Sequence, residues 1–228
     1  MGVSNEAKII NSWMQNAIPW TAAVRERQIE SRRLVTDGAI VDAVVSCSPQ
    51  TVLDVGCGEG WLVRALHTHG ITAHGVDGIP ALVEQARATG GGTFEVASYE
   101  DITAGRLQAT FDVVVCNFSL FGDQSVVTLL REIPGLLNPG GTFIIQTLHP
   151  AMACGEGDYK DGWRAGSWAG FGQDFIDPAP WYFRTMGSWV ELLVESGFML
   201  TRLVEPLHPC SGGPASVIFV AVVRTRVV

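Results

Sequence analysis

The sequence has few basic side chains, and it lacks a long apolar run. Its 15 lysines and arginines are outnumbered by 23 aspartates and glutamates, which gives a formal net charge of -8 and a pI near 5.0. Because nucleic-acid affinity rests largely on basic side chains, this balance disfavours a nucleic-acid partner. No stretch offers the roughly 20 unbroken apolar residues of a membrane span, and no basic leader precedes an apolar run near Met1. We expect a cytoplasmic protein with no membrane partner.

Cysteine is also scarce, and its spacing excludes two classes of small domain. The five cysteines are Cys47, Cys57, Cys116, Cys154 and Cys210. They are odd in number, widely separated and never in a Cys-x-x-Cys pair, so they suggest neither a disulfide framework nor a zinc site. We expect reduced cysteines and no metal.

The order of hydrophobic patterns predicts one α/β domain. Short apolar runs bounded by glycine alternate with helical patterns, and their near-continuous valine, isoleucine and phenylalanine content is typical of parallel strands buried on both faces. The runs lie at residues 51–55, 72–76, 93–96, 111–116 and 142–147. Two later runs, 198–205 and 216–223, are joined by too short a segment for a crossover helix, so we expect them to pair antiparallel. The prediction is a Rossmann-like, doubly wound, mostly parallel sheet of seven strands with an antiparallel last strand.

Four segments follow from this pattern within the single domain of residues 1–228. Residues 1–48 should form two or three helices, and residues 51–148 the ligand-binding core. Residues 149–184 interrupt the alternation for about 35 residues, a length that is typical of a lid or cap rather than of a structureless loop. Residues 185–228 should supply the last helix and the C-terminal hairpin.

A glycine-rich turn marks a binding site for an adenosine ligand. Gly56, Gly58 and Gly60 follow a predicted strand and open a predicted helix. Glycines let the backbone turn sharply and approach a ligand, while free amides at the start of the helix meet its polar groups. Asp77 ends the next strand, where this type of fold keeps an acid for ribose hydroxyls. A tight turn and a helix cap before Pro80 are the alternative explanations, and the coincidence of all the parts favours the ligand.

The spacing of the glycines argues against a nicotinamide cofactor. The dinucleotide fingerprint is G-x-G-x-x-G, whereas here the third glycine comes one residue early and Trp61 occupies the final position. A nicotinamide-dependent oxidoreductase stays open as an alternative, as does a non-catalytic adenosyl-ligand-binding protein of the same fold.

The glycine turn and four later segments resemble the class I S-adenosylmethionine-dependent methyltransferases. The matching segments are, in sequence order, Val-Leu-Asp-Val-Gly-Cys-Gly-Glu-Gly at 52–60, Gly-Val-Asp-Gly at 75–78, Ser-Tyr-Glu-Asp at 98–101, Phe-Asp-Val-Val-Val-Cys-Asn at 111–117 and Leu-Asn-Pro-Gly-Gly at 137–141. Residues 147–150 and 181–185 further resemble bacterial small-molecule methyltransferases of the group containing the ubiquinone-pathway O-methyltransferases. The resemblance covers roughly residues 51–223.

This resemblance implies S-adenosyl-L-methionine as cofactor, S-adenosyl-L-homocysteine as product, and a set of binding residues. Asp54 would fix the loop or reach the methionine ammonium, and Asp77 would hold the ribose hydroxyls. The loop after strand three commonly carries an aspartate toward the adenine, and Ser98-Tyr99-Glu100-Asp101 leaves its register open. The full set of implied cofactor residues is Asp54, Gly56, Cys57, Gly58, Gly60, Asp77, Gly78, Ile79, Ser98, Tyr99, Asn117 and Phe118.

The acceptor side should lie beyond strand five. Methyl transfer requires mainly that donor and acceptor be held in line with water excluded, so few catalytic groups are needed. His149 follows strand five at the edge where such sheets bind ligands, which makes it the catalytic candidate; a backbone hydrogen bond is the alternative role. The aromatic residues of the cap would wall an apolar pocket or form a small core of their own. The predicted pocket residues are His149, Trp163, Trp168, Trp181 and Tyr182.

Arginines of the N-terminal segment are candidates for the cofactor carboxylate, because guanidinium groups bind carboxylates in a bidentate manner. They are Arg25, Arg27, Arg32 and Arg33, and ordinary helix surface is the alternative explanation for each. Together these patterns predict an enzyme, monomeric or homodimeric, that moves a methyl group to an oxygen or nitrogen of a small-molecule acceptor.

Overall fold

The computed structural model describes residues 3–224, and a central sheet organises them. The strands are, in chain order, β1 Thr51–Val55, β2 Thr72–Asp77, β3 Thr93–Val96, β4 Phe111–Asn117, β5 Leu137–Thr147, β6 Gly162–Arg164, β7 Trp181–Phe183, β8 Phe198–Val204 and β9 Val217–Val223. The α-helices are α1 Asn5–Arg25, α2 Asp37–Val45, α3 Trp61–His67, α4 Pro80–Thr89, α5 Tyr99–Thr103, α6 Gln124–Glu132, α7 Pro150–Ala153 and α8 Met186–Glu195. A π-helical turn covers Arg32–Thr36, and a 3-10 turn covers Ile133–Leu136.

Seven strands form the main sheet in the order β3-β2-β1-β4-β5-β9-β8. The pairs β1-β2, β1-β4, β2-β3 and β4-β5 are parallel, whereas β9 runs antiparallel to both of its neighbours. The order reverses between β1 and β4, which is the point where open α/β sheets bind their ligands. The predicted fold class is confirmed, including the antiparallel last strand.

Helices cover both faces of this sheet and create two apolar cores. One core packs α6 and α8 against the sheet, and the other packs α2, α3 and α4 against its opposite face. Successive residues of β1 illustrate the consequence, since Val52 and Leu53 point to opposite faces and both are fully buried. A strand covered on both faces has no polar side to alternate with, which explains the continuous apolar runs in the sequence.

Three helical segments precede the sheet, as expected. Helix α1 begins after Ser4, whose hydroxyl accepts a hydrogen bond from the Ala7 amide. The π-helical turn before α2 was not predicted; there the amide of Asp37 donates to the carbonyl of Arg32, five residues back. Such wide turns are rare and concentrate at functional sites. One turn is too short to leave a periodicity in the sequence.

The cap and strand β5 differ from the expectation in detail. Strand β5 begins at Leu137 rather than at residue 142, because Leu137 pairs with Phe111 before the register shifts. Within the cap, the short helix α7 and the antiparallel pair β6-β7 supply regular structure where no alternation was visible. Strands of three residues cannot display a period of two clearly, so the sequence concealed them.

Gly56 is required at the end of β1 for steric reasons, and Gly70 provides a matched control. Both have a positive φ, 78° and 75°, but a Cβ at Gly56 would overlap the Ser119 side chain, whereas a Cβ at Gly70 meets open space. Both substitutions to alanine carry the backbone strain of a left-handed residue. We predict that Gly56→Ala lowers the free energy of unfolding by at least about 1 kcal/mol more than Gly70→Ala does. Urea denaturation measures the difference, and equal losses would refute the steric explanation.

Candidate active site

The glycine turn after β1 is held by the neighbouring strand. The amides of Gly56 and Cys57 both donate to the carbonyl of Val76, at 2.8 and 3.0 Å. Gly58 and Gly60 also have positive φ angles, 58° and 84°. A Cβ at Gly60 would collide with the ring of Phe94, whereas a Cβ at Gly58 would meet only Trp20, 3.7 Å away. Gly58 is therefore the glycine whose open side faces the cleft beneath α1.

Asp77 connects the end of β2 to this turn. Its Oδ2 accepts from the amide of Gly58 at 2.9 Å, and its Oδ1 accepts from the amide of Ile79 at 2.8 Å. Burial raises the pKa of Asp77 to about 6, while the two amide hydrogen bonds act in the opposite direction. The structure thus brings together three of the predicted cofactor residues, Asp77, Gly58 and Ile79, and each carboxylate oxygen of Asp77 keeps a lone pair for a ligand.

Asp54 lies beneath the turn as a buried carboxylate with one unpartnered oxygen. The side chain is 2% exposed, and its Oδ1 has no hydrogen-bond partner. Burial raises the pKa of Asp54 to about 8; the negative charge of Asp77 adds to the shift, and the positive charge of Arg32 opposes it. A carboxylate in such a position fits a cationic ligand group, which would restore its charged form.

Arg32 is distinguished from the other N-terminal arginines by a free, buried nitrogen. Its Nε donates to Asp37 at 2.9 Å, and its guanidinium carbon lies 4.7 Å from the ring centroid of Trp61. One terminal nitrogen of Arg32 is buried and has no partner. Arg25, by contrast, uses its guanidinium on Glu59 and on α4. Arg32 therefore fits the carboxylate role that the sequence left open among four arginines.

The segment predicted to meet the adenine has its polar groups largely engaged. Ser98 caps α5, and its amide and hydroxyl pair reciprocally with Asp101. The hydroxyl of Tyr99 donates to the carbonyl of Ser119 at 2.8 Å, and burial raises the pKa of that phenol well above its usual value. Asp101 thus serves the helix start, and the Tyr99 ring, rather than its hydroxyl, remains for ligand contact.

Two other predicted cofactor residues flank Asp77 and the glycine turn. Cys57 is a buried thiol whose pKa is raised, first of all by burial, so it stays neutral. The backbone of Gly78 faces Ser98, the nearest residue to a Cβ built there at 3.6 Å. Ile79 packs against Trp13 and Trp20 of α1. These residues form the floor of the cleft between the turn and α1.

The carboxyl ends of β4 and β5 carry further unpartnered polar atoms. Asn117 ends β4, and its Oδ1 is buried without a partner. Phe118 follows with a positive φ of 50°, and its amide donates to the carbonyl of Gln146 at 2.8 Å. This strained residue turns the chain away from the sheet, so Asn117 stands at the edge beside the glycine turn.

His149 forms a pair with Glu205, a residue that the sequence analysis did not identify. The His149 side chain is 7% exposed, and its Nε2 lies 2.6 Å from Glu205 Oε1. Because a carboxylate only accepts, Nε2 carries the proton in a neutral imidazole, and the buried, unpartnered Nδ1 becomes an acceptor. Glu205 directly follows β8, which lies two strands from β5 in the sheet. In the sequence, only the predicted antiparallel pairing of the last two strands could have indicated this contact.

The four predicted aromatic residues of the cap divide into two groups. Trp181 and Tyr182 line a small pocket with Leu120 and Thr147, and Trp163 packs edge-on against Tyr182. His149 does not line this pocket, although its neighbours Leu148 and Pro150 do. Trp168 belongs instead to an aromatic roof, formed by Trp13, Trp20, Phe121, Trp168, Phe171 and Phe175.

The roof is fastened to α1 by an amide clasp. Asn16 is fully buried and exchanges two hydrogen bonds with the backbone of Ile176, at 2.8 and 3.0 Å. The hydroxyl of Ser12 donates to the carbonyl of Asp177. Because Trp20 of the roof lies over Gly58, this arrangement closes the cleft from above.

Arg184 fixes the wall of the pocket, and its guanidinium group is already engaged by neighbouring groups of the protein. It donates to the carbonyls of Gly122 and Asp123 at 2.8 Å each, and its guanidinium stacks on Tyr182 and Trp189. Burial lowers its pKa. The pocket is thus walled mainly by apolar and aromatic groups.

Residues 3–224 contain no group of three histidine, cysteine, aspartate or glutamate side chains placed to hold a metal ion. None of the helices in that range is both long and apolar enough to cross a membrane.

Sequence comparison places residues 52–141 in a family described as a methyltransferase domain. An uncharacterized methyltransferase of Mycobacterium bovis is 32% identical over 137 residues, which cover 59% of this chain and 66% of that protein. A ubiquinone biosynthesis O-methyltransferase of Xanthomonas campestris pv. campestris is 34% identical over 118 residues, 50% of this chain and 49% of that protein. The chain thus spans 66% of the length of the first relative and 49% of the length of the second.

Solved structures share the fold over almost the whole chain. The 1,6-didemethyltoxoflavin-N1-methyltransferase of Burkholderia thailandensis, with bound 1,6-didemethyltoxoflavin and S-adenosylhomocysteine, has a TM-score of 0.69 at 20% identity and covers 99% of this chain and 92% of that one. The magnesium protoporphyrin IX methyltransferase of Synechocystis PCC 6803, with bound S-adenosylhomocysteine, has a TM-score of 0.66 at 15% identity and covers 97% and 100%. At these identities the likeness concerns the fold.

The uncompensated burial of Asp54 predicts a stability change that depends on pH. An ordinary aspartate has a pKa of 3.8, and the folded protein raises the pKa of Asp54 to about 8. The folded state therefore binds a proton that the unfolded state releases between these pH values. As pH rises from about 4 to about 8, this group progressively lowers the free energy of unfolding. Asp54→Asn removes the effect. We predict a gain in free energy of unfolding of about 2 kcal/mol or more at pH 8, and a much smaller gain at pH 5.

Asp42, an exposed aspartate of α2, provides the control as Asp42→Asn. Urea denaturation of each variant at both pH values gives the comparison. An Asp54→Asn gain that is the same at pH 5 and pH 8 would contradict the assigned shift.

Proposed function

We propose that this chain, whose residues 52–141 match a family described as a methyltransferase domain, transfers the methyl group of S-adenosylmethionine to an oxygen or nitrogen atom of a small molecule. The observation that carries the proposal is the pair of buried, incompletely paired charges beside the glycine turn. Asp54 has a free carboxylate oxygen, and Arg32 has a free guanidinium nitrogen. Together they match the ammonium and carboxylate of an amino acid.

The rest of the cleft fits the remaining parts of this cofactor. Asp77, held at the end of β2, is placed to accept from ribose hydroxyls while it fixes Gly58. Gly78, Ile79, Ser98 and Tyr99 would surround the adenine, with the aromatic ring of Tyr99 as its apolar contact. The bound S-adenosylhomocysteine in both structural relatives supports the same cofactor here.

The reaction requires little from acidic or basic side chains. The cofactor supplies an electrophilic methyl group on a sulfonium. The acceptor atom forms a bond to the methyl carbon while the carbon–sulfur bond breaks and sulfur keeps the electron pair. The acceptor atom also loses its proton. Asn117 and Phe118, at the end of β4, would lie under the methyl group. The aromatic roof and the Asn16 clasp would exclude water, which favours transfer to the acceptor over solvation of the reacting groups.

The acceptor would enter beside β5. Trp181 and Tyr182 would contact its apolar part, and Trp163 would support Tyr182 from behind. His149, with its proton directed to Glu205, would present Nδ1 as a hydrogen-bond acceptor or base. The names of two relatives, a ubiquinone biosynthesis O-methyltransferase and a 1,6-didemethyltoxoflavin-N1-methyltransferase, support a small-molecule acceptor. The net charge of -8 further disfavours a nucleic-acid acceptor.

Cofactor choice is tested by isothermal titration of the purified protein. We expect S-adenosylhomocysteine to bind and NADH and NADPH not to bind, because the third glycine comes too early for a dinucleotide. The reverse result would overturn the proposal. A screen with methyl-labelled cofactor against small phenols, carboxylic acids and amines then tests turnover. Binding of S-adenosylhomocysteine without transfer to any acceptor would leave a binding role instead.

Asp77→Ala should weaken the binding of S-adenosylhomocysteine by at least about 1.5 kcal/mol, since hydrogen bonds to a charged group contribute on that scale. Asp77→Asn keeps the side-chain volume but only one acceptor oxygen, so it retains just one of the two amide hydrogen bonds from Gly58 and Ile79 and is a milder change than Asp77→Ala. Glu195→Ala, at an exposed position at the end of α8, is the control. An affinity equal to that of the wild type in Asp77→Ala would remove the ribose assignment.

His149→Ala should leave the affinity for S-adenosylhomocysteine unchanged and lower turnover at least about tenfold, in the range of a lost proton acceptor. His69→Ala, an exposed histidine after α3, should alter neither quantity. Initial rates at saturating cofactor measure the effect. If the His149→Ala variant turned over as fast as the wild type, His149 would have only a structural role.

A further inference from the structure

Polar side chains form a row along the carboxyl ends of the strands, which starts at two cofactor residues and continues to Gln146. Asp54 on β1 is in register with Val115 on β4, which is in register with Ile144 on β5. Asn117 and Gln146 each lie two residues further along their strands, so the three polar side chains share the face that packs against α2. Asn117 and Gln146 are direct register partners. Adjacent strands lie about 4.8 Å apart, which places Gln146 roughly 10 Å across the sheet from Asp54.

Gln146 has a fixed orientation that leaves one acceptor atom free. The side chain is 1% exposed, and its Nε2 donates to the carbonyl of Thr36 at 3.2 Å and to the hydroxyl of Ser216 at 3.1 Å. A backbone carbonyl can only accept, so the amide nitrogen must face Thr36 and the amide oxygen must face away from it. That oxygen, Gln146 Oε1, is buried and has no partner.

Thr36 adds a second unpartnered group beside Gln146. It is the last residue of the π-helical turn and is 2% exposed, and its hydroxyl oxygen has no hydrogen-bond partner. The widened turn directs the Thr36 carbonyl onto Gln146, which brings the two unpartnered groups to the same edge. With Asn117 Oδ1 and His149 Nδ1, four unpartnered groups stand along this part of the strand edge.

We propose that Thr36 and Gln146, with Asn117 beside them, bind the polar hydrogens of the methyl acceptor, and that the acceptor is an uncharged molecule with at least two N–H or O–H donors. This proposal rests on the proposed methyl transfer. Burying an unpaired polar atom costs about 1 to 3 kcal/mol. Hydrogen bonds from a bound ligand to the atoms of this row would offset that cost. Gln146 Oε1 requires a donor, and an acceptor carboxylate or phosphate would face its lone pairs.

Within the row, Gln146 lies apart from the cofactor residues, whereas Thr36 ends the same π-helical turn that begins with Arg32. Asp54 and Arg32 take the amino-acid end of the cofactor at β1, and Gln146 lies two strands away, with Asn117 between them. The methyl group would therefore be transferred across β4. Thr147 and Leu148, which follow Gln146, line the aromatic pocket at the same strand end.

Thr36→Val is the decisive variant, because it removes the hydroxyl and keeps the shape of the side chain. Thr21→Val is its matched control: Thr21 is also buried, but its hydroxyl donates to the carbonyl of Ala17 at 2.8 Å. Without any ligand, we expect Thr36→Val to melt at the same temperature as the wild type or higher, since an unpaired buried group is lost. We expect Thr21→Val to melt no higher than the wild type. A Thr36→Val melting temperature below that of Thr21→Val would show a structural partner for the hydroxyl and overturn the proposal.

The ligand class is tested by adding probe compounds to the complex with S-adenosylhomocysteine and measuring how far each probe raises its melting temperature. The probes are catechol and 2-aminophenol, which carry two adjacent donors, and benzoate and phenyl phosphate, which carry an anion. We expect the two donor compounds to stabilise the complex, and Thr36→Val, but not Thr21→Val, to weaken their binding about fivefold. Affinity for S-adenosylhomocysteine itself should be the same in all three proteins.

Three results would overturn the assignment: greater stabilisation by the anionic probes, no stabilisation by either donor compound, or undiminished binding in Thr36→Val. Failure of the proposed function is recognised separately, because it is a failure of S-adenosylhomocysteine to bind the wild-type protein. The melting comparison without ligand does not depend on catalysis at all.

Discussion

The site depends on the way strand β2 holds the glycine turn. The Val76 carbonyl receives two amides of the turn, and the carboxylate of Asp77 receives a third from Gly58. These contacts fold the turn without help from a ligand, so the backbone is positioned before the cofactor arrives. A preformed turn loses little conformational freedom on binding, which is the advantage of preorganisation. The positive φ angles and the close contacts of Gly56 and Gly60 follow from this geometry.

Buried groups that lack partners define the two ligands that this site can hold. A buried carboxylate and guanidinium, Asp54 and Arg32, lie near β1 and fit the two charges of an amino acid. An uncharged acceptor atom, Gln146 Oε1, lies two strands from Asp54 and fits a ligand with hydrogen-bond donors. Both sets destabilise the protein alone, since neither is completed by the protein itself. Binding energy recovered at both ends would hold donor and acceptor in line, which is the main requirement of methyl transfer.

The sequence was sufficient to predict the fold, and it indicated residues that the structure places around the glycine turn. Local patterns determined these features: apolar runs covered on both faces, glycines at fixed spacing, and Asp77 at the end of the next strand. The predicted fold class is confirmed, and residues 52–141 match a family described as a methyltransferase domain. Strand β5 and the β6-β7 pair differed from expectation because a register shift and strands of three residues leave no clear periodicity.

Contacts between distant segments were the part that the sequence concealed. Four arginines shared one helical stretch, and only the packing of Trp61 and Asp37 around Arg32 singled it out. Glu205 and Gln146 are ordinary polar residues of apolar strands until the sheet order and the π-helical turn place them at the ligand edge. Sequence spacing predicts which residues share a strand end, but it does not predict which polar atoms remain without partners.

The central claim is that the charged amino-acid end of the cofactor completes the pairing of Asp54 and Arg32. It is tested most directly by comparing the dissociation constants of S-adenosylhomocysteine and of 5′-methylthioadenosine, which has the adenosine and sulfur but no amino-acid end. Two charge-assisted contacts predict that S-adenosylhomocysteine binds at least about 100-fold more tightly. Equal affinities for the two compounds would contradict the account.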